Sequence, residues 1–274
     1  MFDIPQDIND AAKGSLSGQS SAVPLPFTAP EMWWKNGETA LGNVKEIKDA
    51  RRFGGWGVSK EELDNLSGPI PPIPSSWSYF ELTNSKGKAY EAYLTRSVWV
   101  APIARRYGWF EFEGKSASRV NYLCYLATFE QGGSSLNPWG PVVLSAKSYA
   151  GIDLDNAFKA FATKTASIRK TTSANFFFTP LGTFGDEVKY QERTSKGGKS
   201  SSVTPCQLKE PKDGYTEDFL RSIFVGPVLA QQMMELKEQA APWLDDWNKR
   251  EKKSAPAPDV NAELAATDDD NPFN

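Results

Sequence analysis

The 274-residue chain contains no histidine. That absence removes the side chain most often used as a general base near neutral pH, and the commonest metal ligand with it. Triads that depend on His, zinc fingers built on Cys and His, and haem held by His are all excluded. Cysteine is almost as scarce: Cys124 and Cys206 lack metal-ligand spacing and are too few for a secreted disulfide scaffold. A reducing, intracellular setting is the expectation. No apolar run approaches the roughly 20 residues that a membrane span requires. The N-terminal stretch MFDIPQDINDAAKG carries acid where a signal peptide carries positive charge. These absences predict a soluble cytoplasmic protein without metal, cofactor or catalytic residues, a binder and not an enzyme.

Aromatic side chains are plentiful. The chain has 9 Trp, 9 Tyr and 16 Phe. Its length allows one large domain or two small ones at roughly 150 residues per domain, enough to bury a core without a disulfide or metal staple.

Composition divides the chain into five segments. Residues 1–30 are rich in Ser, Pro, Gly and Ala and poor in large apolar residues, so they are expected to form a disordered arm. Residues 31–74 form an aromatic and basic extension. It contains Trp33, Trp34, Arg51, Arg52 and Trp56, a turn or two of helix over Lys60–Leu66, and a connector, Gly68-Pro-Ile-Pro-Pro-Ile-Pro74, that cannot be helical. The three tryptophans would pack this extension onto the body or form a second patch.

Residues 75–210 carry the strand signals: 77–82, 89–103, 107–113, 119–130, 140–149, 174–180 and 186–192, rich in β-branched and aromatic residues and separated by turn formers. One helix interrupts them, with Asp153 as its expected cap and Leu154, Ala157, Phe158 and Phe161 at helical spacing. The pattern predicts a mainly β protein with helical additions (α+β). A five-stranded barrel of the oligonucleotide-binding type is the preferred form, and a small sandwich the alternative. Residues 211–253 read as helices, with Thr216 as a cap and Gly226-Pro227 as a break, and would mediate self-association. Residues 254–274 form a Pro/Ala linker and an acidic tail.

The near-neutral total hides an asymmetry. Residues 91–210 contain 15 Lys and Arg against 10 Asp and Glu, whereas residues 254–274 contain five acids and no base. A basic body is the electrostatic footprint of a nucleic-acid binder. Within it, cations sit beside rings: Arg96 near Trp99, Arg105-Arg106-Tyr107-Gly108-Trp109, and Arg119 leading into Tyr122. Single-strand binding requires this mixture, because cations follow phosphates while bases stack on rings whatever their sequence. Alternate residues of a strand share a face, so Tyr107 and Trp109 are expected to lie opposite Phe110 and Phe112 and to be the exposed pair. Lys115 adds a further phosphate contact, and Lys196 and Lys199 would supply a contacting loop over 194–204. The competing structural role for each ring is core filling, with the arginines snorkelling past it.

The chain ends Asp268-Asp269-Asp270-Asn271-Pro272-Phe273-Asn274. This sequence resembles the C-terminal tip of bacterial and phage single-stranded DNA-binding proteins, an acidic run closing on Pro-Phe. The resemblance spans about seven residues and implies that Asp268, Asp269, Asp270, Pro272 and Phe273 dock replication and recombination proteins. It departs from the pattern at Asn271 and in the extra Asn274.

Other motifs carry less. Gly198-Lys199-Ser200 lacks the glycine that a phosphate-binding loop needs five residues before Gly198, where Arg193 stands. Glu113-Gly-Lys115 and Glu187-Val-Lys189, with Asp153 or Asp155, have nuclease-like spacing that charged strands produce by chance. The sequence therefore predicts a sequence-independent single-stranded DNA-binding protein of replication or recombination. The alternatives are a protein-interaction adaptor without nucleic-acid binding, and an annealing or nuclease-associated recombination protein.

Overall fold

The computed structural model describes residues 25–37, 53–66, 72–83, 88–112, 115–129, 135–170, 176–184, 191–194 and 200–245, without the side chains of 107–112, 115–118 and 200–202. Nine strands form one sheet: β1 (Glu31–Lys35), β2 (Gly55–Ser59), β3 (Ser78–Thr83), β4 (Ala89–Thr95), β5 (Ser97–Phe112), β6 (Lys115–Phe129), β7 (Leu136–Lys147), β8 (Thr179–Gly182) and β11 (Gln207–Leu208). A separate hairpin pairs β9 (Gln191–Thr194) with β10 (Ser200–Val203). Among the described residues the helices are α1 (Lys60–Asp64), α2 (Ser148–Arg169), α3 (Glu217–Ser222) and α4 (Pro227–Gln239), and 241–245 are also helical. The chain is mainly β with helical additions, as the sequence predicts.

The strand order is β11-β8-β5-β6-β7-β1-β2-β4-β3, and every neighbouring pair is antiparallel except β1 with β7. Arg96 alone separates β4 from β5, yet four strands lie between them in the sheet. Five inter-strand steps in a flat sheet would place them about 24 Å apart, whereas two residues of chain span only about 7 Å. The sheet must therefore curl until its β4 side returns to β5. Residues 89–112 then act as one long strand that pairs β2 before Arg96 and β6 after it. Hydrogen bonds close the gap: the Trp56 indole donates to Leu181 O at 3.2 Å, and Thr183 N to Arg96 O at 2.8 Å.

Burial follows the two faces of the curl. Inside, Met32, Trp34, Trp56, Val58, Val98, Val100, Cys124, Leu126 and Leu144 pack together, with α2 contributing Leu154 and Phe158. Outside β5–β7, Ile103, Leu123 and Val143 meet Phe161, Phe177 and the side chains of α3 and α4. Strands covered on both faces read as near-continuous apolar runs, which explains sequences such as Tyr122-Leu-Cys-Tyr-Leu126. A third cluster holds Trp33, Phe53, Leu82, Ala92 and Leu94.

Several expectations change. Residues 31–35 and 55–59 are interior strands and not part of an extension, and Trp33, Trp34 and Trp56 are buried core residues. Trp34 and Trp56 meet edge to face at 5.0 Å, and the Trp34 indole donates to Thr204 O at 3.0 Å. Asp153 does not cap α2. The helix starts at Ser148 without a side-chain cap, because Ser148 turns the chain directly out of β7 at φ 47°. Asp153 instead accepts a 2.8 Å bond from Arg193 on β9. The 194–204 stretch is not wholly loop, since Ser200–Val203 pairs with Gln191–Thr194. Thr216 does cap its helix, accepting from Phe219 N, and Gly226-Pro227 separates α3 from α4. Among the described residues no helix is long and apolar enough to cross a membrane.

Candidate nucleic-acid interface

A cleft of about 580 Å³ opens where the curled sheet meets itself. One side is the β4–β5 junction, which contributes Arg96 and Trp99, and another is the end of β6, with Phe129. Phe53 closes it beside Arg96, and residues 74–78 form a wall bearing Trp77. The wall is pinned from behind. Trp77 packs on Trp139 at 6.1 Å, and the Trp139 indole donates to Pro72 O at 3.2 Å. Residues 72–74 of the proline connector are thereby fixed against β7.

The ring geometry suits stacking. Trp99 and Phe129 stand nearly perpendicular, 88° apart with centroids at 5.3 Å, so each supports the other edge to face. Phe129 is 45% exposed, unusual for a large apolar side chain. The Arg96 guanidinium lies 4.9 Å from the centroid of Phe53, a cation–π contact that holds the charge at the cleft. A cation and partly exposed rings thus share one concave surface.

The other predicted cations are distributed differently. Arg105 is bound to Asp155 at 2.7 Å, in a cluster where Lys159 reaches the same carboxylate at 2.5 Å and the Tyr122 hydroxyl donates to it at 2.6 Å. Arg106 covers the Trp243 ring at 4.2 Å. Arg119 pairs with the Glu31 carboxylate and donates to Ser145 Oγ at 2.7 Å. Burial pulls the Arg119 guanidinium down to about 10, which leaves it charged at neutral pH. These three arginines tie β1, β5 and β6 to their neighbours, and Arg105 and Arg119 already face carboxylates. Tyr122 is a correction: its ring is 7% exposed and packs against Phe158 at 4.5 Å, so it is a core residue with no face for a base.

Tyr107 and Trp109 lie on β5 opposite Val120 and Ser118, and Lys115 lies opposite Phe112. The β5–β6 ladder continues past Arg119↔Lys147, the last pair of β6 with β7, so the hairpin runs on as a two-stranded ribbon. The side chains of Tyr107, Trp109 and Lys115 lie outside the described residues, as do Lys196, Lys199 and the tail residues Asp268, Asp269, Asp270, Pro272 and Phe273.

Sequence reasoning missed Phe53, Trp77 and Phe129 as cleft residues. Phe53 and Trp77 precede strands and Phe129 ends one, where local pattern is weakest. Only the curl brings positions 53, 77, 99 and 129 together.

The Asp155 cluster makes a testable contribution. Burial alone would raise this carboxyl, but the bonds from Lys159 and Tyr122 and the charge of Arg105 outweigh it and hold the pKa below the ordinary value. A depressed acid stabilises the fold above its unfolded pKa, near 3.9, and that stabilisation disappears as the pH falls through the folded value. Asp155→Asn is expected to cost roughly 2 kcal/mol at pH 7, the scale of hydrogen bonds to a charged group. Urea denaturation at descending pH should show variant and parent converging in acid, below about pH 4.

Comparison of the chain with protein-family models, curated proteins and solved structures yields no match.

Proposed function

We propose that this protein binds single-stranded DNA without sequence preference, in the service of replication or recombination, and acts by equilibrium binding without turnover. The observation that carries the reading is the cleft, where Arg96 stands with Trp99, Phe53, Trp77 and Phe129. A strand would lay phosphates toward Arg96 and stack bases on Trp99 and Phe129. Each stacked base contributes about 1–3 kcal/mol and needs no particular identity.

The barrel belongs to the same proposal. On this reading residues 89–112, β6, β7, β1 and β2 of the curled nine-strand sheet would act as a ring of five strands with one parallel pair, and α2, which follows β7, packs Leu154 and Phe158 inside the curl. A five-stranded, partly open barrel is the form in which oligonucleotide-binding domains carry their ligands. The tip Asp268–Phe273 would recruit other replication or recombination proteins, and α3 and α4 would support self-association along a strand.

Titration with oligo-dT, followed by intrinsic Trp fluorescence at several salt concentrations, tests the central claim. Strong quenching is expected, with log affinity falling against log salt at a slope near −0.7 per phosphate contacted. Neither quenching nor gel retardation at low salt would overturn it in favour of a protein-interaction adaptor. Shortening of the oligonucleotide on addition of Mg²⁺ would instead favour the nuclease-associated alternative.

A further inference from the structure

A second pocket, of about 600 Å³, shares no lining residue with the cleft. It forms between the C-terminal end of α2 and the short helix α3. Its floor is apolar: Phe177 and Leu220 are buried, and Phe224 packs on Phe177 at 5.6 Å while remaining 43% exposed. Its rim is basic. Arg169 covers the Phe177 ring at 5.0 Å, Lys170 follows it at the left-handed turn that ends α2, and Arg221 stands on α3. Glu217, which pairs with Arg221 at 2.7 Å, is the single acid among the lining residues. An apolar floor under three cations selects a ligand with an aromatic or aliphatic anchor and several adjacent negative charges.

The chain contains such a segment. Residues 254–274 hold five acids and no base, and the three consecutive aspartates 268–270 come two residues before Pro272-Phe273. Residues 246–267 separate this tip from the last described helical residues, 241–245. At up to about 3.5 Å per residue, those 22 residues can span roughly 75 Å. They also leave from the right layer, because Trp243 belongs to the same outer apolar cluster as Phe177 and Leu220.

We propose that the Asp268–Phe273 tip docks into the α2–α3 pocket of its own chain, with Phe273 on Phe224 and Phe177 and the aspartates facing Arg169, Lys170 and Arg221. Tethering turns this into an intramolecular event at an effective concentration on the order of 1 mM. A peptide affinity of about 100 μM would then keep roughly nine chains in ten docked. The docked tip is withheld from other proteins, so a partner with a stronger basic and apolar pocket must displace it.

A fluorescein-labelled peptide of residues 262–274 tests this by anisotropy, in the absence of DNA. The host is the full-length chain with its own tip silenced by Asp268→Asn, Asp269→Asn, Asp270→Asn and Phe273→Ala. The peptide should bind the silenced chain, and bind the intact chain several-fold more weakly. Adding Lys170→Glu and Arg221→Glu to the silenced chain should weaken binding roughly tenfold or more, and Phe224→Ala should act in the same direction. Lys170→Arg, which keeps the charge, should preserve it.

Equal binding to silenced and intact chains would overturn the proposal, as would binding indifferent to the pocket substitutions. Loss of peptide binding on Trp99→Ala alone would place the tip in the cleft and also overturn it. Dimers that form in the intact chain and vanish both with the pocket substitutions and with the silenced tip would assign the pocket to a second copy's tip, against docking in cis. None of these measurements involves a nucleic acid, so their failure is distinguishable from failure of the strand-binding reading.

Discussion

Trp99→Ala is expected to weaken oligo-dT binding by roughly 5- to 150-fold, the equivalent of about 1–3 kcal/mol for one lost stacking platform. The fold should tolerate the change. Val98 and Val100, which flank Trp99 on β5, are the residues buried in the inner core, whereas Trp99 lies at the margin of the outer layer and lines the cleft. Removing it strips Phe129 of its edge-to-face partner without opening the interior of the curled sheet. Thermal melting should therefore move by only a few degrees while affinity falls steeply. Trp99→Phe keeps a flat face and should recover most of the binding. Arg96→Ala should give a different signature, a salt slope shallower by about 0.7, because it removes a phosphate contact and no stacking. An affinity for Trp99→Ala equal to that of the parent would remove the cleft as the binding surface.

Local pattern makes the secondary structure of this chain largely legible. Thr216, Gly226-Pro227 and the β-branched and aromatic run at 119–130 each act over a few residues, and the helices they delimit and a strand over Lys115–Phe129 are present. The errors arise where a distant partner overrides the local signal. Trp33, Trp34 and Trp56 sit among basic residues and glycines and so suggest an extension outside the main domain, packed onto it or forming a second patch. They are core because β1 pairs in parallel with β7, more than a hundred residues away, a partnership no local window contains. Asp153 has the composition of a cap, but Arg193 claims its carboxylate from a hairpin forty residues later.

The same distinction divides the candidate site. Arg96 and Trp99 were visible as a cation beside a ring on one strand, and both line the cleft. Arg105, Arg119 and Tyr122 carried the same local signature, yet their partners are Asp155, Glu31 and Phe158. Proximity in sequence identifies which rings and cations could meet a ligand. Which of them meet carboxylates and other rings instead depends on how the sheet curls, and that is a property of the long-range pairing.

The closure of that curl is the feature most sensitive to a single substitution. Gly182→Ala is expected to abolish folding at ordinary temperatures, or to lower the melting temperature by well over 10 °C, where about 1 kcal/mol corresponds to roughly 2–4 °C. A Cβ at position 182 would lie 2.1 Å from Arg96 O and 2.7 Å from Ser97 Cα, both of them backbone atoms that no rotamer change can move. On the opposite side of the same junction, a Cβ at Gly55 would lie 2.4 Å from Thr95 O and 2.9 Å from Arg96 Cα. Two glycines thus clamp the one residue that joins β4 to β5, so that β2 and β8 can both reach it. Widening either approach would break the Thr183 N to Arg96 O bond and the Trp56 to Leu181 bond that hold the curl shut. Gly214→Ala provides the control. Its backbone is also at positive φ, +73°, but nothing lies within 4 Å of the added carbon, so the cost should be limited to about 1–2 kcal/mol of backbone strain. Differential scanning calorimetry of the three variants separates the two effects: near-collapse for positions 182 and 55 and a small shift for 214. A small, equal shift in all three would mean that the junction is not closed by backbone contact. The cleft beside Arg96 would then lose the rigid corner on which the proposed stacking at Trp99 depends.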